Sequence, residues 1–344
     1  MSEHATISGD ARAEARIAHD LQEIARAVEH ELGPYNDYDL VAVVRGPARP
    51  LGARLARVAE AQSAARGVDV DLWPLAEHDL GRVPRTLFWL DAGRGGVRVV
   101  GGDARLLDRL TRHAPRDIPV EELGRLLANR AVGLALTNLE REPDRDLRRA
   151  RHGHKAVLAC GDARLLAAHR YPATVAARAV ELEGLVAAPG IGPELVVAYH
   201  DAARFRARPD LWRPASESLP HWYERILALV RDRHLGFEAW RVGAPREPLA
   251  AARWTGRFYP ELPDVRPGGS AVSALRAAVR ERVPLWPWVG HPRERLARAA
   301  IALAYAPDDR DARSVAARLL GHAPEPHTDD ALHARLGVLA RLGG

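Results

Sequence analysis

Apolar positions follow two different periods along this chain, and the change between them divides it. Residues 11–32 contain no Gly or Pro, and Ile17, Leu21, Ile24, Val28 and Leu32 recur at helical spacing. Asp10 precedes that run as an N-cap, and Gly33-Pro34 stops it. Residues 38–44, Tyr-Asp-Leu-Val-Ala-Val-Val, form the short apolar run of a buried strand. Pro50 and Gly52 introduce a second helix over 53–66, ended by Gly67. In 68–73, Val-Asp-Val-Asp-Leu-Trp, apolar and acidic residues alternate, which predicts another strand. Strands are also expected at 85–91 and 97–100, joined as a hairpin around Gly93-Arg94-Gly95-Gly96.

From residue 120 the helical period takes over. Helices are expected at 121–140, 155–169, 173–187, 193–206, 219–235, 270–282, 293–305, 311–320 and 329–342, punctuated by Pro and Gly. Pro115 and Pro119 bracket the change. The expected architecture is an α+β domain over 1–117, a mixed sheet with helices, followed by a large all-α region over 118–344. A break between two helical subdomains is expected near 189–214. The hexapeptide Gly-Asp-Ala-Arg-Leu-Leu occurs at both 102–107 and 161–166, but its flanks do not match. We read it as coincidence, because repeat architectures need self-similarity over some 20–50 residues.

Composition narrows the class. With 344 residues, 47% hydrophobic and 28% charged, the chain can bury a substantial core. Its longest charge-free stretches, such as 184–193, run about ten residues, short of the ~20 a membrane span needs. Met1-Ser2-Glu3-His4 is polar, unlike a signal peptide, and the single Cys160 allows no internal disulfide. Both features suit a cytoplasmic protein with no membrane partner. The net charge of +5 is mild for this length and there is no basic tail, so nucleic acid is not an expected partner. Lys155 is the lone lysine among 50 Lys and Arg residues, so the other 49 are arginine. That bias fits a GC-rich genome and removes the need to explain most arginines; the same bias singles out Lys155.

The candidate chemistry is acidic. Asp37 and Asp39 sit two apart at the start of an apolar strand, and period two puts them on one face. Carboxylates that close repel, and hard oxygen ligands of this kind suit Mg²⁺, which takes one or two carboxylates together with substrate phosphates. Asp69 and Asp71 repeat the pattern some thirty residues later. A neighbouring strand would set a third carboxylate beside the first two, enough to hold metal and take a proton from an attacking hydroxyl. Upstream, Ala5-Thr6-Ile7-Ser8-Gly9-Asp10 followed by the helix from 11 gives a short strand, a tight turn and a helix. The free amides there make an anion site, to which Ser8 adds a hydroxyl and Arg12 a charge.

Strand, glycine turn, helix, Asp-x-Asp strand and a further acidic strand resemble the nucleotidyltransferase superfamily with the DNA polymerase beta-like catalytic fold. The chain is closest in pattern to a bacterial branch in which Gly-Gly-Phe-Gly-Arg-Gly-Glu-Gly precedes Asn-Asp-Tyr-Asp. Asn36-Asp37-Tyr38-Asp39 matches the second motif fully. The first is altered: Ser8-Gly9-Asp10-Ala11-Arg12-Ala13-Glu14-Ala15 keeps Arg12, Glu14 and one glycine, with Ala11, Ala13 and Ala15 replacing motif glycines. The segments 85–103, 126–134 and 155–171 extend the resemblance, which covers residues 5–185 and is strongest at 36–39 and 126–134. It implies transfer of an NMP from an NTP, with ATP as the expected donor, to a hydroxyl of a small molecule or protein. It further implies that Asp37 and Asp39 bind Mg²⁺, with Asp71 as the third carboxylate and Asp69 as its rival. Ser8, Gly9 and Arg12 would contact the triphosphate, and Arg130 and Lys155 would offer the phosphates basic side chains from the helical region. The altered turn supports an alternative, a catalytically degenerate nucleotide-binding or regulatory protein of the same fold.

Three further signals are weaker. His152-x-His154 lacks a Cys or further His at zinc spacing. The Arg-x4-His spacing of helical ribonuclease-type toxins occurs at Arg149–His154 and Arg164–His169, as chance allows with 15 histidines and 49 arginines. Trp286 and Trp288, with Trp222 and Tyr223, are expected to pack between helices rather than stack a ligand.

Overall fold

A computed structural model describes residues 38–66, 70–96, 104–140, 145–209, 212–214, 216–243, 246, 292–321 and 328–342. The chain is mostly helical, with a small two-stranded parallel sheet towards its N-terminal end. It forms two compact units, the first of residues 1–114 with 207–210 and the second of residues 115–206 with 211–344.

The first unit is built on a strand–helix–strand crossover. β1 (Tyr38–Val44) leads through helix α1 (Gly52–Arg66) to β2 (Val70–Ala76), and the strands pair parallel with Tyr38 opposite Val70. Successive side chains on each strand point to opposite faces. Leu40, Val70 and Leu72 turn to one face and pack on Ala59 of α1. The other face carries Trp73, which meets Phe88 edge to face at 5.1 Å, and Leu75, which joins Leu80, Val83, Leu110, Trp89, Ala92 and Leu106.

Among the described residues the sheet is two parallel strands and, 85–91 aside, the further expected strands on which a mixed sheet depends lie outside them. One expectation for this unit needs correction. The segment expected as a strand at 85–91 is instead a short helix, α2 (Leu87–Asp91), and Ala92–Gly96 continues it as a wide helical turn. Thr86-Leu87-Phe88-Trp89 has the aromatic composition of a strand, but Phe88 and Trp89 reach Trp73 and the Leu80 cluster from a helix. Tertiary packing overrides so short a propensity signal. Residues 97–100 lie outside the described residues, as do 5–32 and 270–282.

The second unit contains α3 (Val120–Leu139), α4 (Arg145–Ala167), α5 (Val175–Glu183), α6 (Gly192–Ala207), α7 (Leu219–Val242), α8 (Pro292–Tyr305), α9 (Arg310–Leu319) and α10 (Asp329–Leu342). Thr174, Ser218 and Asp309 cap the starts of α5, α7 and α9 by accepting from backbone N–H groups three residues on. Gly243 ends α7 in the left-handed conformation, φ 68°, which glycine adopts without strain. α3 packs most extensively on α4 and α8. Both partners are alanine-rich: Ala156, Ala159 and Ala163 of α4 and Ala299, Ala300, Ala302 and Ala304 of α8 are buried. α4 begins ten residues earlier than the sequence predicts, because Arg145–His154 is polar yet rich in good helix formers. Residues 104–107 of the first hexapeptide lie in a 3₁₀ turn and the second copy lies inside α4, so the two share no structure.

Candidate functional site

The sheet register brings two of the predicted carboxylates together. Asp39 is the second residue of β1, Asp71 the second of β2, and they are direct partners across the strands. Their neighbours Leu40, Val70 and Leu72 face α1, so period two sends both aspartates to the opposite face, where both are exposed. Neighbouring strands lie about 4.8 Å apart, and Mg²⁺ binds oxygen at about 2.0–2.1 Å, so one cation can be shared by the two carboxylates. The donor set is hard oxygen, which selects Mg²⁺, Ca²⁺ or Mn²⁺ over zinc. Among the described residues no group of three or more His, Cys, Asp and Glu is gathered to hold a metal ion. Asp37, Asp69, Ser8, Gly9 and Arg12 lie outside the described residues. The pair sits at the amino ends of its strands, whereas open α/β sheets of the dinucleotide-binding kind use the carboxyl ends.

In the helical unit the two predicted phosphate contacts share a neighbour. Arg130 on α3 and Lys155 on α4 both act on the ring of His152, as do Arg151 and Arg148. Burial, followed by these four cations, pushes the His152 imidazolium down to about 3. Gly133, one turn beyond Arg130, makes room for the ring, since a Cβ there would overlap it. Arg148 also pairs with the buried Glu140, which lies 3.5 Å from His333. The neutral His152 at the centre of this basic face was not legible as such. The one available signal was the spacing of Arg148, Arg151 and Lys155 at i, i+3 and i+7, which aligns them on one side of a helix.

The remaining histidine signals resolve into packing. His152 and His154 point into different surroundings and do not converge. His154 is enclosed by Phe205, stacked at 4.3 Å, and by Trp212 and Trp222 at 4.4 and 4.6 Å. Neither of its ring nitrogens has a hydrogen-bond partner among the described residues. Burial pushes it down to about 3 against the pull of Asp201, which accepts from Trp212 Nε1 at 3.1 Å. A histidine so enclosed cannot serve the Arg-x4-His chemistry, and Arg149 lies over the Tyr223 ring instead. Trp222 and Tyr223 are buried, in line with their expected packing role; Trp286 and Trp288 lie outside the described residues.

A second enclosed polar group lies deeper. His234 Nδ1 meets the Tyr305 hydroxyl at 2.8 Å, and burial pushes His234 down to about 3. Burial also raises the Tyr305 phenol well above its ordinary range and the Cys160 thiol to about 12. These groups are held in their neutral forms, which suits them to structure rather than to proton transfer or nucleophilic attack at neutral pH. No family model, no curated protein and no solved structure matches the chain.

Proposed function

We propose that the protein is an Mg²⁺-dependent nucleotidyltransferase that moves an NMP from an NTP, ATP first among them, to a hydroxyl acceptor. The single observation that carries this reading is the pairing of Asp39 with Asp71 on one exposed face of adjacent strands. It supports the expected placing of a third carboxylate, Asp71, beside Asp39 on a neighbouring strand. Asp39 and Asp71 would hold the cation, and the two-residue period of the sequence would add Asp37 and Asp69 as further donors. Bound there, Mg²⁺ supplies charge neutralisation for the triphosphate as pyrophosphate departs. The acceptor oxygen bonds to the α-phosphorus, the bond from that phosphorus to the bridging oxygen breaks, and an aspartate oxygen takes the hydroxyl proton. Arg130 and Lys155, set around a neutral histidine, support an anion-binding role for that face of the helical unit.

The test is incubation with each labelled NTP and Mg²⁺ in the presence of small-molecule and protein acceptors. We expect label transfer that requires Mg²⁺ and disappears in Asp39→Asn and Asp71→Asn. Mg²⁺-dependent nucleotide binding without transfer would select the degenerate, regulatory reading that Ala11, Ala13 and Ala15 favour. No metal-dependent nucleotide binding would sink both.

A further inference from the structure

We propose that Ser63 is a positioning residue for Asp71, and thereby for the metal pair; the inference rests on the metal reading above. Ser63 lies in the last turn of α1, and its hydroxyl makes two hydrogen bonds. It donates to the Ala59 carbonyl at 2.9 Å and accepts from the Val70 backbone N–H at 2.9 Å. The first bond holds the hydroxyl in place on the helix. The second ties the first residue of β2 to α1.

That residue is the one before Asp71. The Tyr38–Val70 pair opens the strand ladder and Asp39–Asp71 follows it, so the serine acts at the step that sets their register. Val70 is buried against Ala59, so its amide lies where an unmade hydrogen bond is costly. A slip of one residue would turn Asp71 towards α1 and put Val70 where the carboxylate belongs. Apolar packing of Val70 and Leu72 resists that slip, but side-chain packing leaves the strand free to shift by fractions of an ångström. The directional hydrogen bond removes that freedom. Ser63 touches neither metal nor nucleotide in this account; it fixes the backbone from which one ligand projects.

The experiment measures Mn²⁺ affinity of the full chain by electron paramagnetic resonance, with Ser63→Ala and Ser63→Thr beside the wild type. Ser63→Ala should bind Mn²⁺ roughly fivefold more weakly, less than the ~10-fold or more lost with a partner bonded to the ligating side chain itself, because Ser63 acts through the Val70 amide. Ser63→Thr keeps a hydroxyl of the same donor and acceptor capacity and should stay within about twofold of the wild type. Equal affinity in wild type and Ser63→Ala overturns the positioning role and leaves the metal reading standing. A wild type with no Mn²⁺ affinity sinks the metal reading itself, and the role of Ser63 with it. Should Ser63→Ala fail to fold, hydrogen exchange at the Val70 amide of the wild type decides. Saturating Mg²⁺ should slow it, because binding at Asp71 and closure of the Ser63 bond favour the same strand position. Exchange indifferent to Mg²⁺ overturns the proposal.

Discussion

The sheet unit and the helical unit treat their ionisable groups in opposite ways. Among its described residues the first has a two-stranded sheet with small apolar clusters on either face and a pair of aspartates exposed at one end. The second has an alanine-rich interior that encloses His154, His234, Cys160 and Tyr305 and holds each in its neutral form. The same residue types that would make a reactive centre at a surface become packing material once desolvated. Exposure, more than residue identity, therefore separates candidate chemistry from structure here, and it points to the aspartates rather than to the buried histidines.

Acid should break this contrast most sharply. His154 and His234 sit at about 3 in the folded chain against an ordinary 6.5. Between those values the unfolded chain binds more protons, so the stability these histidines contribute is whole above pH 6.5 and lost as pH falls towards 3. The slope is up to ~1.4 kcal/mol per pH unit for each histidine, which amounts to several kcal/mol over the window. Urea unfolding at pH 7 and pH 5 measures it, and because His152 is held at about 3 as well, His154→Phe should remove roughly a third of the slope. An unchanged midpoint between the two pH values would contradict the buried neutral state.

Overpacking should come next. A Cβ at Gly161 would overlap the Tyr199 ring, whose hydroxyl donates to Asp162 at 2.6 Å. Gly161→Ala should therefore cost ~1–3 kcal/mol, seen as a lowered melting temperature by circular dichroism. The acidic pair should show the reverse balance. Asp39→Asn and Asp71→Asn should abolish Mn²⁺ binding yet leave stability unchanged or raise it by up to ~1 kcal/mol, since like charges directly opposite across strands repel. Calorimetry of metal binding and of unfolding reads both effects. The smallest change should be Gly46→Ala, where nothing lies within 4 Å of an added Cβ. Its stability should stay within ~0.5 kcal/mol of the wild type by the same unfolding assay, as at other open surface sites.

Periodicity carried both strands and the helical region, because those segments repeat over several turns or residues, but β1, expected as a buried strand, is only half-covered and leaves Val43 exposed. β1 occurs at the expected residues and α6, α8 and α10 begin within a residue of their expected starts. The failure at Leu87–Asp91 came from a segment too short to show a period, decided by the ring of Trp73. The polar start of α4 was missed because its buried members are few and include His154, whose aromatic enclosure comes from α6, α7 and the segment around Trp212. For the site, the shared face of an Asp-x-Asp was legible from spacing alone. The match of Asp39 with Asp71 was not, because register depends on where α1 returns the chain, and that is fixed by packing and by Ser63.

The enclosure of Cys160 gives the molecule a built-in clock. It is the only thiol in the chain, wholly buried in α4 and raised to about 12, so the native state offers a disulfide reagent nothing to attack. Colour released by such a reagent then counts only those moments when the helical interior opens. At low reagent its rate follows the population of open molecules, and at high reagent it reaches a plateau set by how often they open. One sulfur atom thus reports the lifetime of the whole packed interior, without a label or a mutation.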